Sequence, residues 1–287
     1  MSGRQESSGG DLGRRFRFGA NWTRFLATVD ADSIRSAEDG LRQLLGKSQL
    51  VGLTFLDVGC GSGLSSLAAR NLGARVHAFD FDPESVEASN ALKAKTRHAD
   101  HDWTIERGDV LDRAYVAQLG RFDIVYSWGV LHHTGAMWEA VENTVGLVAP
   151  AGELALALYN DQGRKSRAAL SMKSRYVDSG RLGRAMLLAR YVGVTRARAM
   201  AVTIRDRRNP LARYGERSRG MSWWSDAVDW VGGYPFEVAK PEEVLSAVRP
   251  HGFELEWMRT IGGGSGNNEY RFVRSRESTE TTETGSD

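Results

Sequence analysis

The feature that most constrains the fold of this 287-residue chain is a glycine-rich run that directly follows a short apolar run. Residues 53–58 (LTFLDV) are typical of a buried strand, and the run GCGSG then places glycines at 59, 61 and 63. Glycine lets backbone N–H groups approach a ligand closely and lets a helix pack tightly after a strand. Because the spacing is G-x-G-x-G and Asp57 precedes it, the run favours a ligand with a positive charge over a dinucleotide pyrophosphate.

Strand-like and helix-like patterns alternate along the rest of the chain. Strands are predicted at 75–79, 103–106, 122–127 and 153–158, with helices at 64–72, 82–95, 112–119 and 136–147. A last helix at 241–248 and two strands at 253–260 and 269–273 complete the pattern. This alternation predicts an α/β fold with a doubly wound sheet of seven strands.

Residues 161–235 interrupt the alternation and are predicted to form a basic helical lid inserted into the core. From 160 to 220 the sequence holds 16 Lys and Arg against 4 Asp and Glu, a balance of +12; since the whole chain carries +2, the remainder carries −10. The segment could be a solvated lid, a site for an anionic acceptor held by arginines, or an attachment to an anionic membrane or to nucleic acid. We interpret the segment as a lid that covers a small anionic or amphipathic acceptor molecule. The sequence shows no nucleic-acid recognition domain, and the apolar residues of the segment do not form one continuous stripe of the kind that binds a membrane surface.

The other segments complete the predicted organisation. Helices at 14–50 are expected to cover the active site, and the core comprises 51–160 and 236–274. The polar ends, 1–13 and 275–287, are predicted to be disordered tails. The chain has a single cysteine, no secretory signal and no apolar run of about 18 residues, which predicts a cytoplasmic protein without a disulfide framework or a transmembrane segment.

Residues 56–63 (LDVGCGSG) resemble the signature loop of class I S-adenosylmethionine-dependent methyltransferases, of the kind that act on small molecules. Further landmarks follow in the family's order: Asp80, the turn 108–110, the strand 122–127 with the histidine pair after it, and the turn 147–152. In that last turn Ala151 stands where the family usually has glycine. The resemblance implies an enzyme with a Rossmann-like sheet, mostly parallel with an antiparallel last strand, and with S-adenosylmethionine as its cofactor. The alternative is a non-catalytic cofactor-binding scaffold, or an RNA- or membrane-associated relative.

The resemblance also implies which residues bind the cofactor. The glycine loop would wrap the amino acid portion, with Asp57 near its ammonium. Asp80 would accept from both ribose hydroxyls, Phe81 would lie against the adenine, and Asp109 would accept from the exocyclic amine. The predicted cofactor-binding set is Asp57, Gly59, Gly61, Gly63, Asp80, Phe81, Asp109, Val110 and Ser127.

Catalytic candidates lie at the carboxyl ends of the fourth and fifth strands, the edge at which parallel sheets bind ligands. Transfer to a hydroxyl requires an aligned acceptor and a proton acceptor. His133 is the first candidate base and His132 the second, although a lone histidine is more often structural. Tyr159 and Asp161 rank behind them.

Acceptor contacts are predicted for aromatic residues that suit apolar and cationic ligands. The predicted acceptor-binding residues are Trp22, Trp223, Trp224 and Asp226. Asp226 and Asp229 would share a helix face, but two carboxylates do not complete an octahedral metal site, so no metal is predicted. The loop 262–268 borders the same cleft, which makes Asn268 and Glu269 weaker candidates.

Overall fold

A seven-stranded sheet forms the centre of the computed structural model, which describes residues 16, 18–26, 29–98, 101–206, 223–262 and 266–275. The strands are β1 (Thr54–Val58), β2 (Arg75–Asp80), β3 (Trp103–Arg107), β4 (Phe122–Trp128), β5 (Val148–Tyr159), β6 (Phe253–Arg259) and β7 (Asn267–Arg274). Their order is β3-β2-β1-β4-β5-β7-β6. The first five strands pair in parallel, and β7 runs antiparallel to both neighbours. The predicted Rossmann-like sheet is therefore confirmed.

Helices flank this sheet on both faces. They are α1 (Gly19–Leu26), α2 (Ala31–Leu45), α3 (Leu64–Asn71), α4 (Pro83–Ala94), α5 (Arg113–Val116), α6 (Met137–Gly146), α7 (Arg164–Asp178), α8 (Arg181–Asp206), α9 (Trp223–Gly232) and α10 (Pro241–Val248). Helix α4 begins as the sequence predicts, because the Asp82 carboxylate accepts from the Glu84 N–H and Pro83 occupies the first turn. No described helix is both long and apolar enough to cross a membrane.

The core lies on the two faces of the sheet, as expected for parallel strands covered by helices on both sides. On one face Val58, Val125 and Leu156 join a buried apolar cluster with α6 and α10. On the other face Phe55 and Ile124 join a second cluster with α2 and α3. The sheet is therefore held rigidly, and its loops at the carboxyl edge are positioned by a packed scaffold.

Two element boundaries differ from those predicted. The fifth strand begins at Val148 rather than Glu153, because residues 149–152 form an irregular segment of the strand opposite β4 instead of a separate turn. Within it Ala151 adopts a φ of 60°, the left-handed conformation that glycine tolerates better. Helix α5 has 4 residues, whereas a helix over 112–119 was predicted; Gly120, at a φ of 76°, soon follows it.

The inserted helices α7, α8 and α9 leave the core and return to it at one place. Asn160 and Ala239 form an isolated parallel bridge. The Ala239 N–H donates to the Tyr159 carbonyl at 2.9 Å, and the Asp161 N–H donates to the Ala239 carbonyl at 3.1 Å. The insertion thus closes on its own base beside the end of β5. The predicted tails, apart from Ser275, lie outside the described residues.

Candidate active site

A cavity of about 1910 Å³ opens at the carboxyl edge of the sheet. Its floor is formed by the loops after β1, β2, β3 and β4, where the strand order reverses between β1 and β4. Ligands of doubly wound α/β proteins bind at such a reversal. Helices α1, α7, α8 and α9 supply the other walls.

The glycine loop after β1 adopts a backbone that requires glycine. Gly59, Gly61 and Gly63 have φ values of 79°, 54° and 78°. A Cβ atom at Gly59 would lie 2.3 Å from a Val130 methyl carbon, and one at Gly63 would lie 2.8 Å from the Ser89 hydroxyl oxygen. The loop is thus fixed by backbone conformation and close packing, and its residues Gly59 to Ser62 line the cavity.

Two carboxylates meet beneath this loop. Asp57 is 2% exposed, and its Oδ2 accepts from the Ser66 hydroxyl at 2.6 Å. Burial, together with the smaller effect of the nearby Asp80 carboxylate, raises the pKa of Asp57 to about 7. Burial also raises the pKa of Asp80 to about 6, although its two oxygens accept from the N–H groups of Gly61 and Asp82, each at 2.9 Å. Neither carboxylate forms an ion pair within the described part of the chain, so the pair suits a cationic ligand.

The loops after β2 and β3 line the next part of the cavity. Phe81 lies there with the Arg107 guanidinium 6.0 Å from its ring centroid. Asp109 also lines the cavity, and its Oδ1 accepts from the Leu111 N–H at 2.9 Å. Val110 is buried beside it. The structure therefore brings together the acidic and apolar side chains that the sequence assigned to a nucleoside.

Helix α1 covers the glycine loop. The Gly19 N–H donates to the Asp82 carboxylate at 2.9 Å, which fixes α1 against the start of α4. The indole of Trp22 lies 3.0 Å from the position that a Cβ atom would take at Gly61. Trp22 thus lies on the cofactor side of the cavity, whereas the sequence suggested an acceptor contact.

His133 faces the cavity and is held in one tautomer. Its Nδ1 lies 2.6 Å from the carbonyl oxygen of Pro235. Because a carbonyl oxygen only accepts, Nδ1 carries the proton and Nε2 is the acceptor of the ring. Burial, followed by the positive charge of Lys173, lowers the pKa of His133 to about 3. The ring is therefore neutral throughout the physiological pH range.

His132 occupies a different environment from its neighbour. It is fully buried and does not line the cavity; its Nδ1 accepts from the Tyr159 N–H at 3.2 Å. Its ring centroid lies 3.9 Å from that of Tyr159. Burial lowers the pKa of His132 well below its ordinary value. His132 thus connects the 3-10 turn Leu131–His133 to β5, while Tyr159 itself lines the cavity.

Ser127 and the other weaker candidates do not line the cavity. The Ser127 hydroxyl donates to the Val58 carbonyl at 3.1 Å and is fully buried between β1 and β4. Asn268 donates to the Asn160 side chain, Glu269 pairs with Arg259, and Asp161 accepts from the Gly163 N–H. The side chains of Trp223, Trp224, Asp226 and Asp229 lie outside the described residues.

The sequence analysis did not predict a role for Lys173, which is fully buried beside the histidines. Lys173 of α7 donates to the Trp230 carbonyl, and its Nζ lies 4.4 Å from the Trp230 ring centroid and 4.8 Å from that of Phe236. Aromatic faces stabilise such a cation. One feature of the sequence agrees with this burial: Lys173 lies seven residues after Ser166, on the same face of α7, and Ser166 is also buried.

Phe18 is also part of the site and was not predicted. Its ring centroid lies 5.0 Å from that of His133, so the N-terminal segment contacts the candidate base directly. The pattern of aromatic residues near the N-terminus, which predicted helices over one end of the core, could have indicated this role of Phe18.

Taken with the glycine loop, the strand order defines the class of fold, that of the class I methyltransferases. Residues 56–154 match the family model of a methyltransferase domain.

Among curated proteins, a ubiquinone biosynthesis O-methyltransferase from a Methylobacterium species is 33% identical over 125 residues, which are 42% of this chain and 46% of that protein. A ribosomal protein L11 methyltransferase from Anoxybacillus flavithermus is 44% identical over 72 residues, 25% of this chain and 23% of that protein. The chain thus matches less than half the length of either relative.

Among solved structures, the magnesium protoporphyrin IX methyltransferase of Synechocystis with bound S-adenosylmethionine superposes with a TM-score of 0.54 at 13% identity. The superposition covers 94% of this chain and all of that one. At this identity the likeness establishes the fold.

Proposed function

We propose that this chain is an S-adenosylmethionine-dependent methyltransferase whose acceptor is a small molecule with an anionic group. The observation that carries this proposal is the division of charge within the cavity. Asp57, Asp80 and Asp109, with Arg107, line the sheet edge, whereas cationic side chains line the walls formed by α7 and α8. A cationic cofactor and an anionic acceptor would each meet complementary charge.

The carboxylates fit the cofactor by their electrostatics. Asp57 and Asp80 are held close together with raised pKa values, and a positive charge placed beside them would favour their ionised forms. Asp57 would hold the ammonium of S-adenosylmethionine, Asp80 the ribose hydroxyls and Asp109 the adenine amine. When bound, the cofactor would supply an activated methyl group, which is transferred in line to an aligned acceptor while the neutral thioether leaves with the S–CH3 bonding electrons.

His133 is the residue placed to take a proton from the acceptor. Its Nε2 is the acceptor of the ring, because Nδ1 donates to the Pro235 carbonyl. An anionic group beside the ring would raise its pKa toward the working pH and so make it a more effective base. His132 and Lys173 would act through position and charge, since neither lines the cavity.

The relatives act on different acceptors: one is named for ubiquinone biosynthesis and the other for a ribosomal protein. We propose a small-molecule acceptor because the cavity is deep and is lined by the inserted helices, which suits a molecule that is bound inside it rather than on its surface. The non-catalytic scaffold is disfavoured by His133, which lines the cavity and whose Nε2 is the acceptor of the ring.

Calorimetry with S-adenosylmethionine tests the cofactor assignment. The wild type should bind, and Asp80→Ala should bind at least about tenfold more weakly, because a buried carboxylate with charged hydrogen bonds is lost. The control is Asp102→Ala, which removes a half-exposed carboxylate away from the cavity. If the wild type does not bind, the proposed function is wrong.

Transfer of a labelled methyl group to a panel of carboxylates and phosphate esters tests the acceptor and the base. For an acceptor found in this way, His133→Ala should lower the rate about 10²- to 10⁴-fold with little effect on cofactor affinity. An unchanged rate would remove His133 from the role of base. If only uncharged molecules received the labelled methyl group, the proposal of an anionic acceptor would be contradicted.

A further inference from the structure

The wall of the cavity that the cofactor residues do not explain is built by α7 and α8. On α7 the lining residues follow one helical face, from Lys165 through Ala168, Ala169 and Met172 to Arg175. The 10-residue separation of the two cations corresponds to about 15 Å along the helix axis at about 1.5 Å per residue. One face of α7 thus presents small and apolar side chains between two positive charges.

Helix α8 repeats this arrangement. Its lining residues also follow one face and combine the apolar side chains of Leu187, Tyr191 and Val194 with Arg190 and Arg198. These positions extend over a further distance of about 16 Å, from the same rise per residue. Val194 is 43% exposed, which is high for an apolar side chain that lines a cavity. Together the two faces form an elongated apolar chamber, which we call the lid chamber.

The cations of the lid chamber are exposed at its rim. In the part of the chain that the structure describes, Lys165, Arg175, Arg190 and Arg198 form no ion pair. Arg184 on the same helix provides a contrast, because it donates to the Tyr176 and Val177 carbonyls at 3.1 and 2.9 Å. The rim cations are thus available to an incoming anion, whereas Arg184 has a structural role.

The size of the cavity favours an acceptor that is larger than a small polar molecule. Its volume of about 1910 Å³ exceeds the roughly 300 to 1,000 Å³ of a typical ligand site. If the cofactor lies beside the sheet, as proposed, the space lined by α7 and α8 remains for the acceptor. An acceptor that fills this space must be large and largely apolar.

We infer that the acceptor is an elongated amphipathic anion, with an apolar body along α7 and α8 and a carboxylate or phosphate group at the cationic rim. This inference rests on the proposed function and specifies its substrate class. The apolar body would be held by burial against Met172, Leu187 and Val194, and the anion by Arg190 or Arg198, whose planar guanidinium groups match oxyanions.

Displacement of the fluorescent dye N-phenylnaphthylamine by straight-chain carboxylates tests the inference on the whole chain. From hexanoate to tetradecanoate each added methylene should strengthen displacement up to about fourfold, until the chamber is filled. Alkanols of the same chain length, which lack the negative charge, should displace the dye more weakly than the carboxylates. Excess S-adenosylhomocysteine should leave carboxylate binding intact, since the two occupy different halves of the cavity. Loss of carboxylate binding under that condition, or a lack of chain-length dependence, would overturn the inference.

Arginine variants locate the anion. Arg190→Met or Arg198→Met should weaken tetradecanoate binding about three- to tenfold and leave alkanol binding unchanged. Arg181→Met is the matched control, because Arg181 is an exposed arginine of α8 that does not line the cavity. Equal effects of all three substitutions would refute the assigned rim.

Calorimetry with S-adenosylmethionine on the same variants separates the two proposals. Intact cofactor binding without carboxylate binding refutes the substrate class alone. Absent cofactor binding in the wild type refutes the proposed function whatever the dye shows.

Discussion

Replacement of Asp57 by asparagine should stabilise the ligand-free protein and weaken its response to cofactor. Asp57 is 2% exposed, and burial raises its pKa from 3.8 to about 7. A carboxyl group whose pKa is raised on folding stabilises the fold fully below its unfolded pKa, and this contribution is lost as the pH rises through the folded value. At about 1.36 kcal/mol for each pH unit, the loss amounts to about 4 kcal/mol.

Asparagine has nearly the same shape and can still accept from the Ser66 hydroxyl, but it does not ionise. The stability of Asp57→Asn relative to the wild type should therefore increase by about 3 kcal/mol between roughly pH 4.5 and pH 8.5. For a protein of this size that corresponds to a relative rise in Tm of roughly 6 to 12 °C.

The assay is thermal unfolding of both proteins across this pH range. Only the difference between them is interpreted, so the titration of groups distant from Asp57 cancels. Asp102→Asn is the control, because it makes the same substitution at a carboxylate that is 53% exposed and does not line the cavity. Addition of S-adenosylmethionine should raise the Tm of the wild type more than that of Asp57→Asn. A difference between Asp57→Asn and the wild type that stays constant with pH would refute the argument.

Two further predictions concern other positions. Ala151→Gly should raise the free energy of unfolding by about 0.5 to 1 kcal/mol, because Ala151 has a left-handed φ of 60°; chemical denaturation measures it, and a destabilised variant would contradict it. Lys173→Met should raise the pKa of His133, because the Lys173 charge contributes to lowering it. Titration of the imidazole NMR signals, assigned with a His133→Gln variant, measures the shift, and an unchanged pKa would exclude this electrostatic coupling.

The parts of the site that follow from local sequence were predictable. The glycine loop, Asp80 at the end of β2 and Asp109 after β3 all lie within a few residues of a strand end, and the cavity gathers them because parallel strands end at one edge. Tyr126 and Trp128 line the cavity from alternate positions of β4, so strand periodicity turns Ser127 away from it. That period was available in the sequence, and it would have corrected the prediction for Ser127.

Features that depend on contacts between distant segments were not predictable from local patterns. The tautomer of His133 depends on a carbonyl that is 102 positions away in sequence. The burial of Lys173 depends on Trp230, 57 positions away. Similarly, the Gly19 N–H that ties α1 to Asp82 gives no local signal. Such pairs are decided by how the insertion and the N-terminal segment pack on the core, which no short window of sequence contains.

The closure of the insertion on its own base has a consequence for how this fold changes over time. The chain departs at Asn160 and returns at Ala239, which are bridged to each other, and just before the return Pro235 and Glu237 bond to residues 132, 133 and 137 of the core. The stretch 162–234 lies between these contacts. Sequence in that stretch can diverge, lengthen or be exchanged without moving β1, β2 or the glycine loop. Under the proposed function, the helices that would contact the acceptor can therefore change while the glycine loop, Asp57 and Asp80 are retained. A chimaera that exchanges the insertion must therefore keep residues 235–239, because the Pro235 carbonyl sets the tautomer of His133.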